Sequence, residues 1–221
     1  MLSAENLAAI RSDGERVLEL GRLDRERPVP QYPGWLMSDL MSHLGGIHAR
    51  TAIICREFPT ERPSAPRPPQ GGDILDWYEG NLEDMLSALE ESDPDALVWG
   101  FWPESRIGLW EKRMVVETGL HRWDADQAFG EPAPLTALVG RTALDEFGDM
   151  WVNRLGAVSS VLEVTATDLG ESWSFGSGAG KGTVSGTASD LYLRLMSRPS
   201  PVELPLQWSA AVDALEPPPK R

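Results

Sequence analysis

Apolar residues recur every three to four positions through most of the first 155 residues, and roughly every second position after that. The first run is Leu7, Ile10, Val17, Leu18 and Leu20, a broken helical stripe that predicts a helix over 4–23 with Ser3 as its N-cap. PVPQYPGW comes next, held extended by three prolines. A second helix is expected over about 36–58. Residues 59–72 contain five prolines and two glycines and read as a loop crossing the end of a bundle. A third helix, over about 73–91, carries Ile74, Trp77, Leu82, Met85, Leu86 and Leu89 inward. SDPDALVWGFWPESRIG is a second long connection with three aromatic residues; connections of that length in a compact domain are often functional. A fourth helix is expected over 109–129, ended by EPAP, and a fifth over 135–155. Four or five helices of this length predict an antiparallel bundle.

The pattern changes near Gly156. VLEVTATD alternates and is β-branched, and ESWSFG and KGTVSG come after it with glycine-rich turns, which predicts a short antiparallel meander. TASDLYLRLMS reads as one more amphipathic helix, and DALEPPPKR as a polar tail. The expected fold is mainly α: a four-helix bundle over 1–156 and a small α/β domain over 157–221. The glycines at 176, 178, 180 and 182 are no dinucleotide fingerprint, because they come after a meander strand and open no helix of a βαβ unit.

Charge and composition exclude several classes. The net charge is −14, from 34 acids and 20 bases, and the excess lies mainly in the helical part. No basic face is present to hold a phosphate backbone, so nucleic acid is not an expected partner. No apolar run approaches the length of a membrane span. Glu5, Arg11, Asp13 and Glu15 crowd the start where a secretory signal would need an apolar core. The single cysteine, Cys55, cannot form an internal disulfide, and a reducing cytoplasm is the expected location, for a monomer or weak homodimer.

With three histidines among 221 residues, the place of each is informative. The inward stripe of the fourth helix steps through Trp110, Met114, Glu117, His121, Ala125 and Ala128. Glu117 and His121 thus sit where hydrophobes are expected, and a buried carboxylate without a partner is costly. The second helix repeats the anomaly, with His43 in the stripe Leu36, Leu40, His43, Ile47. His48 lies about 140° further round that helix and cannot face the same point. If the two helices pack face to face, His43 meets Glu117 and His121. Two imidazoles and a carboxylate match a catalytic zinc site with an open position, and other divalent transition metals suit the same donors. A hydrogen-bonded His–Glu pair beside an unrelated core histidine fits the spacing too.

PGWLMSDLMSHLGGIH (33–48) and WEKRMVVETGLHRWDAD (110–126) resemble the mycothiol-dependent maleylpyruvate isomerase family, within the DinB/YfiT-like superfamily of four-helix metalloproteins. The shared pattern is a Trp before the second helix, D-L-x-x-H-L-G upon it, and R-x-x-x-E-T-x-x-H-R-W-D-A on the later helix. VTATDLGESW and TVSGTASDLYLRLMSR extend the resemblance through the family's small carboxy-terminal domain. It implies that His43, Glu117 and His121 bind a divalent metal, usually zinc. It also implies mycothiol as thiol cofactor and a small electrophilic substrate. The family's catalytic arginine matches Arg198, in S-R-P where the family often has G-R, with Arg194 as the fallback. Arg198 is equally suited to a helix-terminal cation favoured by the dipole. The implied reaction is cis–trans isomerisation by a metal-bound thiolate. Mycothiol S-transfer, hydrolysis by a metal-bound water and a non-catalytic metal-binding bundle are the alternatives.

Four further features have two readings each. Arg113 and Arg122 flank the ligands, ready for an anionic substrate or thiol, or for surface acids. Asp124 suits a partner for a ligand histidine or an exposed ion pair. Trp99, Trp102 and Trp110 suit a pocket wall or the core, and the loops 59–72 and 92–107 are expected to line the pocket. Cys55 suits core packing better than nucleophilic duty, since nothing nearby lowers its pKa.

Overall fold

The computed structural model describes residues 2–130, 132–156 and 158–215. They form two compact units that divide between Ala133 and Pro134.

The first unit is a four-helix bundle of α1 (Ala4–Leu23), α2 (Met37–Glu57), α3 (Ile74–Glu90) and α4 (Ile107–Phe129). Each of the first three starts has a sequence cause. Ser3 accepts from the Asn6 amide, Asp73 accepts from the Leu75 amide, and Asp39 accepts from the Leu36 amide that precedes α2. Glu111 of α4 accepts from the Ser3 amide at 2.6 Å, while Arg16 and Arg122 tie α1 to the far end of α4 through Asp126 and Asp13. α1 and α4 are therefore parallel. Thr51 meets Met114 and His43 meets Glu117, so α2 runs against α4. Gly45 abuts Trp77 and Arg56 pairs with Asp84, so α2 and α3 are parallel to each other.

This up-down-down-up order corrects the reading of the proline-rich segment. Residues 58–73 do not cross an end of the bundle; they run its length. Pro59 accepts from the Trp99 amide at one end, and Asp73 lies 3.9 Å from Arg25 at the other. Two parallel neighbours need a return of about 30 Å, and proline holds a chain in the extended form that covers it.

The second unit starts earlier than Gly156. α5 (Ala137–Glu146) continues through a π turn, Phe147–Trp151, and a 3-10 turn, Val152–Arg154. Its contacts are with the sheet and the later helices of this unit. A Cβ at Gly140 would stand 2.8 Å from the Ala188 Cβ, Phe147 packs on Phe175, and Trp173 donates to Asp145 at 2.7 Å. The switch of period near Gly156 marks the start of a strand, whereas the unit begins at the proline break after α4.

The strands β1 (Ser160–Ala166), β2 (Glu171–Phe175) and β3 (Gly180–Gly186) pair in the order β2-β1-β3. β1 and β2 form the expected antiparallel hairpin, but β3 lies on the other side of β1 and parallel to it. The sheet is thus no meander. The crossing is made by residues 176–179, which pass over the start of β1. Gly178 has φ 123°, and a Cβ there would fall 2.3 Å from the Ser159 carbonyl oxygen, so only glycine permits the passage.

α6 (Ala188–Leu195) and a further helix, α7 (Leu206–Asp213), complete the unit. The sequence pattern does not predict α7. It is anchored by Trp208 and Val212, one turn apart and both fully buried. Beyond Leu215 the polar tail falls outside the described residues.

α6 ends in a Schellman motif. Ser197 sits at φ 59°, its amide bonds the Arg194 carbonyl at 3.1 Å, and the Arg198 amide bonds the Leu193 carbonyl at 2.8 Å. The left-handed position explains why glycine suits the residue before this arginine. The Ser197 hydroxyl donates to the Val212 carbonyl at 2.8 Å, which Ser197→Gly and Ser197→Ala both lose. Only alanine keeps the left-handed penalty. Ser197→Gly is therefore expected to be more stable than Ser197→Ala by about 1 kcal/mol, or about 2–4 °C in a thermal melt. Equal melts would refute the strain.

Candidate metal centre

The inward stripes of α2 and α4 do meet. His43, in the second turn of α2, and His121 of α4 both turn Nε2 toward one oxygen of Glu117, Oε1, at 3.5 and 3.4 Å. One donor atom from each residue lies within 4.8 Å of the others, and all three side chains are buried. The His43 and His121 rings stand edge to face, 5.1 Å between centroids.

The surrounding groups hold these three in a ligand-like arrangement. Asp124, fully buried one turn after His121, has Oδ2 3.0 Å from the His121 Nδ1. A carboxylate there fixes the tautomer with the proton on Nδ1 and turns the Nε2 lone pair toward Glu117. Arg113, one turn before Glu117, binds its other oxygen, Oε2, and leaves Oε1 to face the imidazoles. Burial opposes ionisation of Glu117, but Arg113 and the two histidines outweigh it and hold the carboxyl well below its usual range. Burial likewise opposes charging of His121, and the bonds to Asp124 and Glu117 win, raising its pKa.

These residues fit a divalent ion. Separations of 3.4–3.5 Å are long for hydrogen bonds. They match the edge of a tetrahedron whose N and O donors lie about 2.1 Å from a common centre. The donor set, two imidazoles and one carboxylate with a carboxylate behind one imidazole, is that of a three-ligand transition-metal site.

The remaining candidates have other places. His48 points away, as its angle round the helix requires. Its Nε2 lies 3.1 Å from the Thr118 Oγ1, its ring packs near Tyr78, and its buried Nδ1 has no hydrogen-bond partner. Arg122 is no surface residue. It is buried between Asp13 and Asp126 and also donates to the Ala133 carbonyl, which makes it a strut between α1 and α4. Cys55 is buried, and burial pushes its thiol up to about 11. In the second unit, the Arg198 guanidinium is buried and donates to the Met196 carbonyl at 2.8 Å. Arg194 pairs with Asp213 and Ser209 of α7, which gives the fallback arginine a structural place.

The aromatic loop does not line the cluster. Trp99, Phe101 and Trp110 stack together at the end of the bundle where α2 finishes and α4 begins, beside a shallow cavity of about 390 Å³. The cluster sits toward the other end: Glu117 and His121 are seven and eleven residues beyond Trp110, about 10 and 16 Å along α4. The loop that reaches the cluster is the one between α1 and α2. Its Tyr32 hydroxyl donates to the Asp124 Oδ2 at 3.2 Å and its Trp35 ring lies 5.4 Å from that of His43. Sequence reasoning misses Tyr32; its only sign there is an aromatic residue set between prolines just ahead of a histidine-bearing helix.

Fold and cluster together define a helical-bundle protein with a buried two-histidine, one-carboxylate site. A model of the mycothiol maleylpyruvate isomerase N-terminal domain matches residues 7–126, over half of the 221 residues, and the chain belongs to that family. Among solved structures it is similar to a mutant of the mycothiol-dependent maleylpyruvate isomerase, at a TM-score of 0.70 and 16% identity, covering 91% of this chain and 94% of that one. A second structure of that isomerase gives a TM-score of 0.67 at the same identity and coverage. At that identity the likeness speaks to the fold, here across both units. No curated protein matches the sequence significantly. Among the described residues no helix is long and apolar enough to cross a membrane.

Proposed function

We propose that the protein is a metal-dependent enzyme that uses mycothiol to isomerise a small electrophilic substrate of the maleylpyruvate type. The observation that carries the reading is the convergence of His43, Glu117 and His121, in a chain of this family, on one point inside the bundle. His43, Glu117 and His121 would hold a divalent ion, zinc being the natural choice for this donor set. A divalent ion held by these residues would supply the positive charge that favours the deprotonated form of a thiol at neutral pH, and a thiolate is the nucleophile that addition to a conjugated double bond requires.

The protein's own groups do the rest. Asp124 keeps the proton on the Nδ1 of His121 and so presents Nε2 as donor. Arg113 occupies one oxygen of Glu117 and limits the carboxylate to the other. Burial of all three ligand side chains excludes bulk water, which would compete as nucleophile. Cys55 is buried and its thiol is raised to about 11, so the sulfur must come from outside the chain. The family resemblance gives Arg198 the substrate's anionic end, a role for which its planar fork is suited toward a carboxylate or a developing enolate.

Turnover of a cis-enoyl acid, measured with and without mycothiol, tests the reading. Activity should require both the thiol and a divalent ion. Arg198→Ala should lower kcat by about 10²–10³-fold, the scale for losing a contact to a developing anion, and leave thiol binding intact. Full activity without thiol would overturn the mechanism. A thioether product in place of the trans isomer would move the protein to S-transfer.

A further inference from the structure

We infer that Tyr32 is a positioning residue of the metal centre, acting through Asp124 on His121, and that the loop between α1 and α2 is therefore part of the centre. The inference rests on the metal reading above. Asp124 is completely buried, and a single oxygen, Oδ2, receives both the His121 Nδ1 at 3.0 Å and the Tyr32 hydroxyl at 3.2 Å. A carboxylate's terminal torsion is broad and soft. The phenol bonds the same oxygen as the imidazole and so helps to hold it where it aims Nε2 at Glu117.

The loop is built to hold that phenol still. The Val29 amide bonds the Trp35 carbonyl at 2.9 Å, the Tyr32 amide bonds the Val29 carbonyl at 3.1 Å, and the Trp35 amide returns to the Tyr32 carbonyl at 2.9 Å. Prolines at 28, 30 and 33 stiffen the same stretch. The Tyr32 and Trp35 rings then pack on each other at 4.6 Å, and each also faces one ligand ring: Tyr32 lies 5.9 Å from His121 and Trp35 lies 5.4 Å from His43. Both ligand histidines, carried by different helices, are thus braced by one loop. Of the two aromatic residues, Tyr32 adds a hydrogen bond to a group behind a ligand. Its hydroxyl should therefore tune the ion, while its ring shapes the wall.

Tyr32→Phe removes the hydroxyl and keeps the ring. The probe is Co²⁺, whose visible absorption reports ligand geometry and whose affinity is read by competition with a chromophoric chelator. Wild type is expected to bind about one Co²⁺ per chain, as the one such cluster of donors among the described residues allows. Tyr32→Phe should bind it about tenfold more weakly, at the lower end of the 10–100-fold range for loss of an outer partner, with an altered band shape. Asp124→Asn should lose more. If the phenol acts through that carboxylate, the double variant Tyr32→Phe/Asp124→Asn should lose no more than Asp124→Asn alone. A purely structural role would lower the melting temperature and leave cobalt affinity and spectrum unchanged. Wild-type binding with an unaltered Tyr32→Phe, or losses that add in the double variant, overturns the inference and spares the metal reading. A wild type that takes up no cobalt overturns both.

Discussion

His43→Ala is expected to abolish tight binding of a divalent ion, while His48→Gln leaves the affinity within a few-fold of wild type. The two histidines are five residues apart on one helix, and composition alone cannot rank them. Geometry does. The His43 Nε2 stands 3.5 Å from the Glu117 Oε1, whereas the His48 Nε2 is turned to Thr118 and its ring to Tyr78. Removing one of three protein ligands should cost more than the about 10–100-fold that loss of an outer partner brings. The measurement is competition for Zn²⁺ or Co²⁺ at a temperature where circular dichroism shows each variant folded. Equal losses from the two would contradict the facing of α2 on α4.

Acid sensitivity is the second large effect, and it belongs to His48. Its imidazole is fully buried, and burial pushes its pKa down to about 3 from an ordinary 6.5. The folded value is the lower one, so between these limits the unfolded chain binds a proton that the folded chain refuses. Stability therefore falls as pH drops below about 6.5. The slope is about 1.4 kcal/mol per pH unit, or about 4–5 kcal/mol over the whole window. Glutamine at this position cannot take up the proton. Urea titrations from about pH 7.5 to 4.5 should show wild type losing stability relative to His48→Gln by that slope, even though removal of the imidazole costs the variant some packing at neutral pH. Parallel pH profiles would show that the buried ring is protonated at little cost. The comparison cancels the raised pKa of His121, which both proteins share.

The helices are legible in the sequence because burial imposes a 3.6-residue period, and the polar residues on the buried stripes stand out for the same reason. Glu117 and His121 interrupt the stripe of α4, His43 interrupts that of α2, and the structure brings these three together. Angular spacing is enough to separate His43 from His48. What the pattern does not carry is direction. Nothing in the composition of 59–72 distinguishes a turn over a bundle end from a strap along its side, because proline favours an extended chain in both. Pairing order is equally hidden, since alternation makes a strand but does not choose its neighbour, and the passage of residues 176–179 over the start of β1 depends on Gly178 meeting Ser159. α7 is hard to read because eight residues with two buried anchors, Trp208 and Val212, and an exposed Leu206 make too short a stripe to register. Arg122 is ambiguous because a buried arginine between two acids has the same local sequence as an exposed one.

The strap along the bundle has a use beyond joining two helices. Residues 58–73 lie between the two halves of the ligand set: His43 precedes them, and Glu117, His121 and Asp124 all come after. A backbone cut there would yield an α1–α2 fragment with one donor and a second fragment carrying the other two. Neither could form the centre alone, and each would present an apolar helix face that only the other covers. Reassembly of the two pieces would restore the three-donor cluster, so a cobalt spectrum appearing on mixing would report the docking of α2 against α4 directly. The same strap would accept new termini or an inserted domain, since a break in it leaves every helix of the bundle whole.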